Sequence, residues 1–145
     1  MARQAPKDPI YFNREVETMP RDQKDAMVLG KLRDMLERLL ATNKFYGEKL
    51  KQAGVQPKDI KTLDDFRQRV PATTKQELVA DQESDPPFGN RLNVPADAIK
   101  QIHMTSGTSG IGQEVSPLSA ADVKYAGEGF AWQLQAAGLV PGDIS

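Results

Sequence analysis

The sequence predicts an α/β chain in which a helical region precedes a strand-loop-strand-helix unit. Apolar residues recur at spacings of three and four over residues 21–40, which is typical of an amphipathic helix. Residues 99–104 alternate apolar and polar side chains, as a short strand does. Paired prolines in Asp85–Asn90 exclude regular structure between these parts. We therefore divide the chain into a helical region at residues 1–84, a linker at 85–98 and a second region at 99–145.

The helical region contains four predicted helices. The first covers about Arg21–Leu40, and its apolar stripe would pack on a core or against a partner subunit. A second is predicted for Lys44–Gln52, ended by Gly54 in the left-handed conformation. Thr62 and Thr74 each precede a shorter helix and have an acidic residue three positions later, but only the second matches the Thr-x-x-Glu capping box in full. Thr73–Lys75 could also contact phosphate, although a cap accounts for these hydroxyls.

The second region is predicted to begin with one helical turn at Pro95–Ala98 and a strand at Ile99–Met104. A return strand is expected at Glu114–Leu118, with Pro117 near its end or at a sheet edge. Ser119 would then cap a helix over Ala120–Ala137 that Gly138 ends. In this helix Tyr125 and Trp132 are either packing residues or a platform for an aromatic ligand.

The loop between the two predicted strands carries the main functional signal, Thr105-Ser106-Gly107-Thr108-Ser109-Gly110. Glycines allow backbone N–H groups to turn inward around an anion, and hydroxyls add further donors, so the segment indicates a nucleotide-phosphate loop. On composition alone such a segment is usually a solvated loop, and its position directly after a predicted strand favours the phosphate loop. It is neither a Walker A loop, since no lysine lies between Lys100 and Lys124, nor a Gly-x-Gly-x-x-Gly dinucleotide loop.

Several motifs in order resemble the phenylacetate-CoA ligases of the acyl-adenylate-forming superfamily. Besides the loop, four segments upstream and one downstream match motifs of this family in the same order. They lie at residues 43–46, 53–55, 63–66, 71–78 and 136–143. The resemblance implies an incomplete start of the adenylating-enzyme large domain at residues 99–145. Many members of the family continue the loop with Lys-Pro, whereas this chain has Ile111-Gly112.

The resemblance implies an ATP-dependent, AMP-forming acid-thiol ligase of aromatic acid catabolism, acting through an acyl-adenylate. Its substrates would be ATP with Mg²⁺, coenzyme A and phenylacetate or a related aryl acid. Thr105, Ser106, Gly107, Thr108, Ser109 and Gly110 would hold the nucleotide phosphates. His103 would line the acid pocket, orient the loop or serve only as a hydrogen-bonded structural residue. No catalytic residue is expected in this chain, which we expect to be inactive alone.

The composition argues against several kinds of binding partner and catalytic site. The 19 basic and 20 acidic residues are spread along the chain and give a net charge of −1, so neither nucleic acid nor an anionic membrane is expected as a partner. The absence of cysteine and the single histidine argue against thiolate chemistry and a metal cluster. No run of eighteen apolar residues occurs, and we expect a cytoplasmic protein.

The length of the chain suggests that it is part of a longer protein. At 145 residues the chain is far shorter than an adenylating enzyme, and Pro141-Gly142 followed by Ile144 is typical of a turn that leads into another strand, so we expect a fragment. Subunit pairing is common in the family and would give a homodimer. The alternative function is a non-catalytic helical interaction module, which would associate through the stripe of Leu29, Leu32, Leu36 and Leu39.

Overall fold

The computed structural model describes residues 11–106 and 110–139. In chain order the helices and strands are α1 (Arg14–Glu17), α2 (Arg21–Thr42), α3 (Lys44–Gln52), α4 (Leu63–Arg69), α5 (Lys75–Ser84), β1 (Ile99–Met104), β2 (Val115–Ser119) and α6 (Ala120–Ala136). Short 3₁₀ turns cover Pro57–Asp59 and Ala96–Ala98. The predicted α/β arrangement of a helical region followed by strand, loop, strand and helix is confirmed. Helix α1 was not predicted.

The core of the helical region forms where α2 packs on α3 and on the segment that follows it. Four residues form its buried centre, namely Leu36, Leu50, Val55 and Ile60. Leu29, Leu39 and Leu40 of α2 pack against this centre with Phe66 and Val70. Three of the four leucines of the stripe, Leu29, Leu36 and Leu39, therefore belong to the core of their own chain. Leu36 is fully buried and unavailable to a partner, which removes one of the leucines required by the interaction-module alternative.

Local capping explains where the shorter helices begin. Thr62, Thr74 and Ser119 each accept a hydrogen bond from the backbone N–H three residues later, and the acidic side chain at that position bonds back to the cap. The prediction that only Thr74 has a full capping box was wrong. Asp65 reaches the backbone N–H of Thr62 at 2.8 Å, because a carboxylate one methylene shorter than glutamate still spans this distance.

Strands β1 and β2 form an antiparallel pair, in which His103 lies opposite Ser116 and Met104 opposite Val115. The register is irregular between Ile99 and Gln101. Strand β2 starts and ends one residue later than predicted. Glu114 pairs with Thr105 at the base of the loop, and Ser119 is both the last residue of the strand and the cap of α6. This pair brings the two ends of the candidate phosphate loop together.

Helix α6 ends at Ala136, one residue earlier than predicted, and Gly138 follows with a φ of +91°. Its Tyr125, Phe130 and Leu134 side chains are exposed, whereas Trp132 is half-buried and packs in a tilted arrangement on Phe12 with ring centroids 5.9 Å apart. No helix in the two described ranges combines the length and apolar character that crossing a membrane requires.

Candidate functional site

The candidate phosphate loop is closed at its base by a reciprocal pair of hydrogen bonds. The backbone N–H of Thr105 donates to the carbonyl of Glu114 at 3.0 Å, and the backbone N–H of Glu114 donates to Oγ1 of Thr105 at 2.9 Å. The Thr105 hydroxyl oxygen thus holds the loop together, and as a hydroxyl it also carries a proton to donate. These two bonds extend the β1–β2 pairing by one position and bring the loop ends into register.

The predicted phosphate-binding residues are placed only in part. Thr105, Ser106 and Gly110 are exposed to solvent at the end of the strand pair. Gly107, Thr108 and Ser109 lie outside the described residues. Their role therefore stays a prediction. The structure does define the two limbs that flank them, which are residues 105–106 and residues 110–114.

Two glycines shape the limb that leads from the loop into β2. Gly110 has a φ of +71° and Gly112 a φ of +114°, conformations that residues with a side chain rarely adopt. A Cβ built on Gly112 would lie 3.2 Å from Cγ1 of Val79, so the limb runs close against α5. Proline has its φ fixed near −65°, so it could not follow this backbone path at position 112.

Gln82 of α5 binds the backbone on both sides of Glu114. Its Nε2 donates to the carbonyl of Gln113 at 3.3 Å, and its Oε1 accepts from the backbone N–H of Val115 at 2.8 Å. A primary amide has one donor and one acceptor side, like a peptide unit, so Gln82 takes the place of a neighbouring strand at this point.

Arg91 joins the same limb to α5 and to the linker. Its Nη2 donates to the carbonyl of Val115 at 3.4 Å, its Nη1 lies 3.6 Å from the carboxylate of Glu114 and its Nε 3.4 Å from that of Asp81. The side chains of Arg91 and Asp81 are 11% and 8% exposed. Asn90 completes the cluster by donating its backbone N–H and its side-chain amide to Asp81. The arrangement leaves a guanidinium between two carboxylates and shields it from water.

Sequence reasoning missed Asp81, Gln82 and Arg91. The first two are polar residues of a short helix with no periodic pattern, and Arg91 follows a proline-rich segment, so each has the signature of a solvated residue. Only the tertiary contacts of α5 and of Arg91 with residues 113–115 bring them to the loop.

His103 occupies an exposed position of β1, with its Nε2 2.8 Å from Nε2 of Gln101. The amide nitrogen of Gln101 and this ring nitrogen are within hydrogen-bonding distance of each other. His103 thus has a hydrogen-bond partner two residues away on its own strand. Its predicted acid-pocket or loop-orienting role stays a prediction.

Two cavities lie beside the cluster, with volumes of about 420 and 600 Å³. They share four lining residues, Arg38, Tyr46, Arg91 and Asn93. The smaller lies over the leucines of α2 and α3, and the larger reaches β2 and the start of α6. Both are within the size range of small-molecule pockets. Within the described residues no group of three His, Cys, Asp or Glu side chains is arranged to hold a metal ion.

Comparison with known proteins gives consistent relatives, although no family model matches the chain. It is 33% identical over 133 residues to a phenylacetate-coenzyme A ligase of Thermus thermophilus, covering 92% of this chain and 28% of the relative. It is 34% identical over 95 residues to the phenylacetate-coenzyme A ligase of Escherichia coli K12, covering 66% of this chain and 20% of the relative.

Solved structures of 2-hydroxyisobutyryl-CoA ligase have the same fold over this region. One, in complex with 2-HIB-AMP in the postadenylation state, gives a TM-score of 0.86 at 33% identity and covers 95% of this chain and 28% of its own. Another, with 2-HIB-AMP and CoA in the thioesterification state, gives 0.87 at 35% identity, with shares of 95% and 29%. The chain therefore spans less than a third of these relatives. From sequence and fold together, the chain belongs to the phenylacetate-CoA ligase family of AMP-forming acyl-CoA ligases.

Proposed function

We propose that this chain supplies the phosphate-binding loop of an ATP-dependent, AMP-forming carboxylic acid-CoA ligase that acts through an acyl-adenylate. The observation that carries the proposal is the loop itself, a glycine- and hydroxyl-rich segment closed at Thr105 and Glu114 and turned at Gly110 and Gly112. The similarity to ligases of this class along nearly the whole chain supports it.

The acid is proposed to be phenylacetate or a related aryl acid, as in the names of both curated relatives. Its carboxylate oxygen would attack the α-phosphorus of ATP while the bond from that phosphorus to the leaving pyrophosphate breaks. The coenzyme A thiol would then lose its proton and attack the acyl carbon, releasing AMP. No general base is required for the first step, because the carboxylate is already ionised near neutral pH.

The work of this chain in that scheme is electrostatic. N–H groups and hydroxyls of residues 105–110 would donate to the β- and γ-phosphate oxygens, on which charge grows as pyrophosphate leaves. Mg²⁺ would accompany the triphosphate and neutralise part of that charge. We propose that the 145 residues alone hold phosphate without forming an adenylate, and that the protein is cytoplasmic and forms a homodimer.

The test is pyrophosphate exchange into ATP by the full-length native protein, with phenylacetate and 2-hydroxyisobutyrate as alternative acids. Gly110→Ala keeps the backbone N–H but puts a side chain on a residue with a φ of +71°, and the resulting displacement of the loop should reduce exchange by about a hundredfold. Gly54→Ala is the matched control, since Gly54 has a φ of +66° and, like Gly110, nothing within 4 Å of an added Cβ, but lies after α3. Equal activity of the two variants would refute the assignment of the loop.

A further inference from the structure

The exit of the phosphate loop, residues 113–115, is held on the side opposite β1 by the side chains of Gln82 and Arg91. We propose that Gln82 and Arg91 are positioning residues, which fix residues 113–115 on α5 so that the loop presents its donors to phosphate in a preset arrangement. This inference rests on the proposed phosphate-binding function of the loop. It assigns a role in that function to α5 and to the end of the linker, two parts of the chain that do not themselves reach the loop donors.

The backbone geometry of residues 113–115 shows why a second support is available. Successive peptide units of a strand point to opposite edges, and both backbone groups of Glu114 are used by Thr105 on the β1 side. The carbonyl of Gln113 and the N–H of Val115 therefore face the other edge, where the amide of Gln82 binds both. The exit is thus hydrogen-bonded along two edges, although the described sheet has two strands.

Arg91 extends this second edge by one position and adds charge. It donates to the carbonyl of Val115 at 3.4 Å and to Oε1 of Gln82 at 3.5 Å, and its Nη1 lies 3.6 Å from the Glu114 carboxylate. The carboxylate of Asp81 lies on the other side of the guanidinium, 3.4 Å from Nε, and is itself held by two hydrogen bonds from Asn90. The guanidinium is shielded from water, which strengthens each of these interactions.

A loop whose ends are already fixed loses less conformational freedom when it closes around a ligand. Without the support from α5 the exit could shift, and a displacement of about 1 Å in a positioning element can lower a rate by about a hundredfold. The affinity for ATP and for pyrophosphate should fall, because the loop is proposed to contact their phosphates. The affinity for coenzyme A should not change, since no part of this support is proposed to bind it.

Gln82→Met in the full-length native protein tests the inference, because methionine is of similar length and removes both polar groups. Gln76→Met is the matched control, since Gln76 is exposed on the same helix. Steady-state kinetics should show the KM for ATP raised about tenfold or more in Gln82→Met and unchanged in Gln76→Met, with the KM for coenzyme A unchanged in both. Calorimetric titration with pyrophosphate should show the same loss of affinity without any turnover.

Gln82→Glu provides a second variant that retains the shape of the side chain. It keeps the acceptor for Val115 but replaces the donor to Gln113 with a charged carboxylate oxygen that faces the Gln113 carbonyl, so its KM for ATP should also be raised above that of wild type. A wild-type protein that binds neither ATP nor pyrophosphate would refute the proposed function. A wild type that binds both, with Gln82→Met and Gln82→Glu indistinguishable from Gln76→Met, would refute the positioning role and leave the proposed function intact.

Discussion

Lys49 of α3 and Glu77 of α5 form a salt bridge between two helices, with Nζ and Oε1 2.5 Å apart. The other carboxylate oxygen of Glu77 closes the capping box of α5 by accepting from the backbone N–H of Thr74 at 2.7 Å. One carboxylate therefore both starts α5 and ties it to α3. Since α5 also carries Gln82, this pair helps to place the helix that supports the loop exit.

Glu77 should make the docking of α5 sensitive to acid. The hydrogen bond from Lys49, and then those from Thr74, lower the pKa of Glu77 from 4.5 to about 2. A carboxyl with a depressed pKa in the folded state adds stability above its unfolded pKa and loses it as the pH falls, so the contribution should disappear between about pH 4.5 and 2. Carboxyl NMR should place the titration of Glu77 near pH 2 and, in Lys49→Met, at a higher pH.

Asp65 serves as the control for this titration, since hydrogen bonds to Thr62 lower its pKa. Asp65 is in a similar capping box but makes no contact with Lys49, so its pKa should be the same in wild type and Lys49→Met. If the Glu77 pKa in Lys49→Met stayed at its wild-type value, the salt bridge would not be its main cause.

Gly47→Ala should destabilise the helical core. A Cβ on Gly47 would lie 2.8 Å from the backbone carbonyl oxygen of Leu39, and a carbonyl within a helix cannot move aside alone. Forcing α2 and α3 apart should lower the free energy of unfolding by about 1–3 kcal/mol. Gly30→Ala, at an open position of α2, should instead raise it by about 0.5–1 kcal/mol. Urea unfolding of both variants measures the difference, and equal effects would contradict the close approach of the two helices.

Asn43→Ala should be among the most destabilising substitutions of a polar residue. Asn43 is buried, accepts from the N–H of Tyr46 at 2.7 Å as the cap of α3, and donates to the carbonyl of Arg91 at 2.9 Å. Loss of the cap and of a buried partner should cost about 2 kcal/mol or more in the free energy of unfolding.

Asn13→Ala is the control for this change. Asn13 caps α1 in the same way, but it is exposed and its helix has four residues. Its loss should cost about 0.5 kcal/mol or less. Thermal unfolding of the two variants compares them, and a Tm for Asn43→Ala no lower than that for Asn13→Ala would show that the link to Arg91 adds no stability.

The sequence predicted the features that depend on neighbours along the chain. The caps at Thr74 and Ser119, the left-handed glycines at 54 and 138 and the strand at Ile99–Met104 all follow from a few consecutive residues. The two strands that border the loop were also predicted, although the hydrogen bonds between Thr105 and Glu114 were not.

The support of the loop could not be predicted in this way. Gln82 reaches Gln113 and Val115 over separations of 31 and 33 residues, and this contact depends on how α5 docks, not on any local pattern. The missed capping box at Thr62 has a different cause, since Asp65 was judged by its residue type and not by its reach. The family of the chain could be recognised from the order of short motifs, whereas the support of the loop exit by the buried Arg91 required the tertiary structure.

Gly112→Pro should impair the phosphate loop. The φ of Gly112 is +114°, whereas proline requires a φ near −65°, so the exit would have to leave its path beside Val79. Abandoning that path should disturb the contacts of Gln82 with Gln113 and Val115 and weaken pyrophosphate binding about tenfold or more, as a shift of the loop would. Gly112→Ala separates the effect of the ring from that of an added side chain and should weaken binding less. Calorimetric titration of the full-length native protein with pyrophosphate measures both, and tighter binding by Gly112→Pro than by wild type would mean that the exit of the loop follows a path that proline allows.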